Sequence, residues 1–360
     1  MEQRTYKLRD FAQDISVAVK DAQSHHLDKF VGLEHYDSGE PVITRYTDTS
    51  LITSSVKEFH KNDILIARRN VYLKRAGIAF FDGLTSGDSI ILRIFDDSEK
   101  RTGIPKEDAV KIIPFVLNSN DFWAYANKHA DGMNSKRISK EMLYDYEFSL
   151  PSLSEIRQLY SKLWAAYNLK EAYKKLLSAT DEMVKSQFIE MFKDSPKSAI
   201  SDFCKVEKGT TITRNEVIEG NIPVVAGGQE PSCYHNVANR KAGVITISAS
   251  GAYSGFVNYW TTQIFASDCN TIIPIDEKNT NVHFLYHGLK AIQREIYSLQ
   301  KGGAQPHVYG KDIEKFLFPY PTKEEQDKFA DIAQQADKSK FELRKSIEAI
   351  DAVIKSLING

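Results

Sequence analysis

Between Glu155 and Phe192 the apolar residues fall at a three-and-four spacing, at Leu159, Leu163, Ala166, Tyr173, Leu177, Val184 and Met191. That spacing predicts one long helix with a sticky seam. Neither Gly nor Pro interrupts it, and Lys170, Thr180 and Gln187 fill the remaining seam positions, where polar groups weaken a coiled coil and help to fix its register. At about 1.5 Å per residue the helix runs roughly 55 Å. Glu324 to Ile358 repeats the pattern with Phe329, Ile332, Ala336, Leu343, Ile350, Ile354 and Leu357. Two seams of similar length are expected to bury against each other as an antiparallel coiled-coil spacer.

Outside these helices, alternating or short apolar runs predict strands at Asp63–Ala67, Gly77–Phe81, Ile90–Ile94 and Lys111–Leu117, with Asp28–Gly39 reading as a strand that ends in a turn. The stretch after Asp121 reads as a helix, a polar loop at Asp131–Ser139, a short helix and a final strand. A second region then repeats the order of signals. Asp10-Phe11 matches Asp202-Phe203; Lys61-Asn-Asp-Ile-Leu matches Lys241-Ala-Gly-Val-Ile; Ser86-Gly-Asp-Ser matches Ala266-Ser-Asp-Cys. Gly132 through Met142 aligns with Gly303 through Ile313, and Val184-Lys-Ser with Ile354-Lys-Ser. The expected architecture is α/β (α+β) and pseudo-two-fold: a domain at 1–151, a helical spacer at 152–194, a second domain at 195–321 and a second spacer helix at 322–360. Such a chain suits reading two separated sites. A duplicated scaffold that docks proteins has the same geometry and stays open at this point.

Composition narrows the classes. A chain of 360 residues has room for two cores plus the helices. No run is long and apolar enough to span a bilayer, and the first residues lack the apolar stretch of a signal peptide, so a cytoplasmic protein without a membrane partner is expected. Cys204, Cys233 and Cys269 are odd in number and lack zinc spacing. The net charge of −1 means that any phosphate binding must come from local clusters.

One such cluster exists. Lys57 to Arg75 holds six basic residues against two acidic ones, with Arg68, Arg69, Lys74 and Arg75 around Tyr72. Arginine forks suit guanine edges and phosphates, although an ordinary solvated charge run has the same composition. The matching segment of the second copy carries Ser250 and Tyr253 among small residues, where Gly251 and Gly255 allow close backbone approach or simply a tight turn. Loops at equivalent places contribute Ser135, Lys136 and Arg137 in the first copy, and Lys301, Gln305, His307 and Tyr309 in the second; Gln229 lies in a further polar turn. Their amide, hydroxyl and basic groups can read bases or hold phosphates, with Gln305 suited to an adenine edge. There is no Asp/Asn-Pro-Pro-Tyr methylation loop, no P-loop, no metal spacing among the histidines, and no residue pattern for catalysis.

FVGLEHYDSG (Phe30–Gly39), the run from His60 to Ser89, KGGAQPHVYGKDIEKFLFPYPTKEEQ (Lys301–Gln326) and MVKSQFIEMF (Met183–Phe192) together resemble the DNA-specificity subunit of type I restriction-modification systems, end to end. The resemblance implies two target-recognition domains, each reading one half of a bipartite duplex DNA target, with the helices setting the gap. It also implies docking of methylase subunits on the helical regions and a restriction and translocation subunit in the same assembly. S-adenosylmethionine, ATP and Mg would then belong to those partners, with no cofactor, metal or catalytic residue in this chain. Because the two basic and small-residue loops differ, the half-sites are expected to differ.

Overall fold

A proline, Pro151 or Pro321, precedes each long helix, and a capping box follows it. The Ser152 hydroxyl and backbone N–H both donate to Glu155 Oε2, at 2.7 and 3.1 Å; Thr322 does the same to Glu325 Oε2, at 2.7 and 3.0 Å. Each box satisfies amides that the first helical turn leaves unpaired. In the computed structural model, which describes residues 4–23, 25–133 and 135–359, these caps open helices of 40 residues (Leu153–Phe192) and 37 residues (Lys323–Asn359).

The chain divides into two compact units: residues 1–171 with 348–360, and residues 172–347. Each unit therefore holds a segment of both long helices. In the first, Ile156, Leu163 and Tyr167 share a core with Ile354, and Ile350 and Leu357 lie against it. In the second, Val184, Phe188 and Phe192 share a core with Phe329, Ala330, Ala333 and Ala336. This corrects the expected seam. Leu159, Ala166, Tyr173, Leu177 and Met191 are only half-buried, and no residue in 172–183 or 337–349 is buried. The helices bury their ends in the cores of the two units, because the domains offer more apolar surface there than a second helix does.

Each unit is mixed α and β. The first has a two-stranded ladder, Arg4–Lys7 with Glu147–Leu150, and two five-stranded sheets. One sheet runs in the order Ala12–Asp14, Ser89–Ile94, Ile64–Ala67, Ala76–Ala79 and Val42–Ile43; the other runs Val17–Val19, Val56–Phe59, Gly83–Ser86, Lys29–Val31 and Thr47–Asp48. The second unit repeats the ladder with Lys197–Ala199 and Leu317–Pro319. It repeats the first sheet's order as Cys204–Lys208, Cys269–Pro274, Val244–Ser248 and Val257–Trp260, and adds a three-stranded sheet. Asp10 and Asp202 play one part in both, each carboxylate accepting the backbone N–H three residues before it, at 2.7 and 3.0 Å.

Lys111–Leu117 is not a strand. It forms the end of a helix, Lys106–Val116, with Pro114 inside it. The run is apolar because Ile112, Ile113 and Phe115 are buried, and a short apolar run carries no period that separates strand from helix. Asn118 donates to the carbonyl of Pro114 at 2.8 Å, satisfying an acceptor near the helix end. The buried Asp108 ties this helix to the central one, accepting from Arg157 (3.1 and 2.9 Å) and Tyr160 (2.8 Å). Asp28–Gly39 is a strand only at Lys29–Val31, followed by a single helical turn at Leu33–His35.

Candidate nucleic-acid interface

Strand Ile64–Ala67 is buried along its length, and the chain leaves its end as Arg68, Arg69 and Asn70. Asn70 takes a left-handed conformation (φ 50°), as does Lys74 (φ 51°), so that a single helical turn at Val71–Leu73 fits between two strands. Buried Val71 anchors the turn, while Tyr72 stands 62% exposed. The polar loop after Lys128 docks on this turn through its backbone. Ile138 N–H donates to Arg68 O (3.0 Å) and Asn70 N–H to Lys136 O (2.7 Å). Asp131 and Arg137 exchange N–H to carbonyl bonds of 2.9 and 2.8 Å that close the loop on itself. Hence Arg68 and Arg69 lie beside Ser135, Lys136 and Arg137, two segments that are distant in sequence. Asn134 of the same predicted loop lies outside the described residues.

The second unit builds the same device. Val308 N–H donates to Ala249 O (2.9 Å), Gly251 N–H to Pro306 O (3.1 Å), and Lys301 and His307 exchange two bonds of 2.8 Å. These bonds equate Arg69 with Ser250, Asn70 with Gly251, Arg137 with His307, and buried Ile138 with buried Val308. The alignment expected from sequence is thereby corrected by one residue. Gly132 corresponds to Gly302, not Gly303: both have positive φ, 119° and 96°, and a Cβ on either would lie 2.9 Å from a carbonyl oxygen three residues on. Likewise the strand pairing equates Ile64 with Ile245, not Val244. Sequence matching anchored on a chemically similar neighbour, whereas the backbone bonds follow the loop's conformation.

Side chains differ where the backbones agree. In the first unit Asp88, 24% exposed, lies 3.5 Å from Arg68 Nε and 3.0 Å from Arg69 Nε, and its carbonyl accepts from Arg68 N–H (3.1 Å). In the second, Asp268 accepts the Ser250 hydroxyl, and its carbonyl accepts from Ala249 N–H (3.1 Å). Asp88 and Asp268 are the positioning groups that the sequence reading passed over, although both stand in the matched Ser-Gly-Asp-Ser and Ala-Ser-Asp-Cys segments. Lys57 adds positive charge nearby, its Nζ donating to Ser89 O (2.9 Å), and burial lowers its pKa.

Arg75 is placed differently from its neighbours. Its guanidinium donates to Leu33 O (2.9 Å) and Arg69 O (3.0 Å), and burial pulls it below the ordinary arginine range. It is a strut for the loop. Lys74 and Lys136 are exposed. Gly255 does not offer its backbone to a ligand: a Cβ there would meet Tyr297 at 3.2 Å and the Ile296 carbonyl at 3.3 Å, so the tight inward turn is the right reading. Gly251, with open space around its Cβ position, is a half-buried left-handed turn residue. Gln229 is exposed, on a turn tied to strand Val257–Trp260 by Asn258 Nδ2 donating to its carbonyl (3.1 Å). Gln305 is exposed, Tyr253 and Tyr309 are about half exposed, and His307 stacks on Tyr309 with ring centroids 6.0 Å apart. Lys301 is held by Asp312 at 2.7 Å. The first unit thus presents a basic surface, the second a nearly neutral one of amide, hydroxyl and aromatic groups.

The fold is shared with solved structures. One is the S subunit of a type I restriction-modification system from M. genitalium, with a TM-score of 0.57 and 14% identity over 99% of this chain and 95% of that one. Another, from work on complex assembly and conformational transition of the type I R-M system, has the same TM-score and identity over 99% of this chain and 96% of that one. At this identity the likeness is one of fold. Residues 193–351 match the family described as the type I restriction modification DNA specificity domain. That span therefore carries a type I restriction modification DNA specificity domain. No curated protein matches it.

The matched domain is one of DNA specificity, and nothing in these likenesses supports the duplicated-scaffold alternative. Gln229, Ser250, Tyr253, Lys301, Gln305, His307 and Tyr309 all lie inside the matched span. Arg68, Arg69, Tyr72, Lys74 and Ser135 to Arg137 are tied to it by the repeated loop device. Among the described residues no helix is long and apolar enough to cross a membrane.

Proposed function

We propose that this chain is a non-catalytic specificity subunit that reads a bipartite duplex target, with recognition domains at 1–151 and 195–321 each reading one half and the helical segments 152–194 and 322–360 setting the gap. The observation that carries this is the duplicated pair of bridged loops at the strand ends, one in each unit. A strand-end loop locked by backbone bonds presents its side chains with little conformational freedom left to lose, which is what discrimination between base edges requires. Arg68, Arg69, Tyr72, Lys74, Ser135, Lys136 and Arg137 serve one half-site; Gln229, Ser250, Tyr253, Gln305, His307 and Tyr309 serve the other, with Lys301 at the base of its loop.

Methylase subunits dock on the helical regions, where Leu176, Met183 and Phe341 expose about half of their surface, and a restriction and translocation subunit joins them. S-adenosylmethionine, ATP and Mg are bound by those partners in the cytoplasm, and this chain binds none of them. With a net charge of −1, the subunit by itself binds DNA weakly, and the methylase adds phosphate contacts. The test is to co-express the chain with its methylase subunit in a host free of other methylation and to map modified bases across the genome. A two-part motif with a fixed gap is the expected result; an intact complex that methylates without such a motif refutes the proposal.

A further inference from the structure

In each unit an ion pair joins the long helices, and the roles of the two helices are exchanged between them. In the first unit Lys170 of the central helix, its side chain 4% exposed, lies 2.9 Å from Asp351 of the C-terminal helix and 2.8 and 2.7 Å from the two carboxylate oxygens of Glu40. In the second unit Lys340 of the C-terminal helix, 13% exposed, lies 2.8 Å from Asp181 of the central helix and 2.8 Å from Asp337 on its own helix. Asp337 in turn lies 3.1 Å from His287, which belongs to the domain's helix Val282–Ala291.

The spacing makes these a matched set. Asp181 follows Lys170 by eleven residues, and Asp351 follows Lys340 by eleven. Eleven residues make about three turns, so on each helix the cation and the anion fall on one face. Where two helices run in opposite directions, a step of eleven forward on one is a step of eleven back on the other. Both pairs therefore form at one and the same register, and a slip of a single turn breaks both together.

We infer that Lys170 with Asp351 and Lys340 with Asp181 are the register lock of the helix pair, and so are positioning residues for the gap between half-sites; this rests on the proposed bipartite reading. The stretches 172–183 and 337–349 contain no buried residue, and the half-buried apolar side chains there give contacts that have little directional preference. A lysine removed from water tolerates only a carboxylate at hydrogen-bonding distance, which makes a polar seam position a register device where an apolar one is permissive. Glu40 and His287 extend each lock from the helices into the domain of the same unit.

The experiment compares three complexes, each with the methylase subunit in a methylation-free host: wild type, Lys170→Arg with Lys340→Arg, and Lys170→Met with Lys340→Met. Modified bases are mapped, and occupancy is compared between sites with the wild-type gap and sites with the same halves one base pair closer or further apart. Wild type and the arginine variant are expected to favour one gap; the methionine variant is expected to lose at least about tenfold of that preference while keeping both half-sequences. Should the double methionine variant not accumulate, Lys170→Met and Lys340→Met are read singly by the same criterion. Unchanged gap preference in folded methionine variants overturns the lock. A wild-type complex without any two-part motif overturns the functional reading, and the lock falls with it.

Discussion

Gly302 and Gly303 are adjacent glycines in one exposed loop, and the structure predicts opposite consequences for them. Gly302 has φ +96°, outside the range an L-residue adopts without strain, and a Cβ added to it lies 2.9 Å from the Gln305 carbonyl. Gly303 has nothing within 4 Å of its Cβ position and no positive φ. Alanine at 302 costs about 1–3 kcal/mol of backbone strain, and opening the loop instead gives up the two 2.8 Å bonds between Lys301 and His307, worth about 0.5–1.5 kcal/mol each. By either route the arrangement that presents Gln305, His307 and Tyr309 becomes the minor one. Affinity for the half-site read by the second unit should then fall roughly 5- to 150-fold, at about 1.4 kcal/mol per decade. The assay is anisotropy titration of the subunit–methylase complex against a labelled target duplex, against duplexes with either half scrambled, and with Gly303→Ala as the control. Gly303→Ala should stay within about twofold of wild type, alanine adding nothing but a methyl group in open space. Equal effects at 302 and 303, or none at 302, would refute both the loop assignment and the one-residue shift in the repeat.

Three further outcomes are expected. Arg68→Ala with Arg69→Ala should relax sequence preference in the half-site read by the first unit only, and should lower the slope of log affinity against log salt by about 1–2; salt titration with an unchanged slope and unchanged preference sinks that placement. Asp268→Ala should weaken the second half-site by roughly three- to tenfold, the worth of about one hydrogen bond, and Asp268→Asn, which keeps an acceptor for Ser250, should recover most of it; the same duplex series checks this. The Asp337 carboxyl would be raised by burial alone, but the close contacts of His287 (3.1 Å) and Lys340 (2.8 Å) outweigh that and hold it at about 2. Its folded pKa is therefore depressed, so its stabilisation is full above the ordinary value of 3.8 and is lost as pH falls towards 2. Discounted for the 44% exposure of the side chain, the contribution is roughly 1 kcal/mol, and urea melts should show Asp337→Asn less stable than wild type at pH 7 by that amount, with the gap closing below pH 4.

The sequence carried the two long helices and the repeat because both are written in chemistry that repeats over many residues: three-and-four spacing, the paired Asp10-Phe11 and Asp202-Phe203, and the shared Asp88 and Asp268. What it did not carry was anything decided by a contact distant in the chain. The Lys111–Leu117 run reads the same as strand or helix until Asp108 is seen bonded to Arg157 and Tyr160. Lys170 reads as a defect in an apolar seam until Glu40 and Asp351 are found around it. Arg75 is indistinguishable from Arg68 in a basic run, and only the carbonyls of Leu33 and Arg69 reveal it as a strut. The candidate residues were legible as separate clusters in each domain, but the bonds from Ile138 to Arg68 and from Val308 to Ala249 that join clusters were not.

These joining bonds also explain how one fold can hold two unlike reading surfaces. The bonds that join the loops are backbone hydrogen bonds beside buried Ile138 or Val308, and neither constrains the residues that point away. Arg69 and Ser250 occupy one backbone position, as do Arg137 and His307, and exchanging a guanidinium for a hydroxyl or an imidazole leaves the bonds around them unaltered. A shared side chain is the aspartate at 88 and 268, which pairs with whatever the adjacent position carries, the arginine charge in one unit and the serine hydroxyl in the other. Shape is thus fixed by main chain and core, while chemistry is set by a few outward positions. On that division, exchanging the residues at 68, 69, 136 and 137 for those at 249, 250, 306 and 307 should preserve folding and transfer base preference from one half-site to the other. A grafted unit that folds but keeps its original preference would show that the bases are read elsewhere.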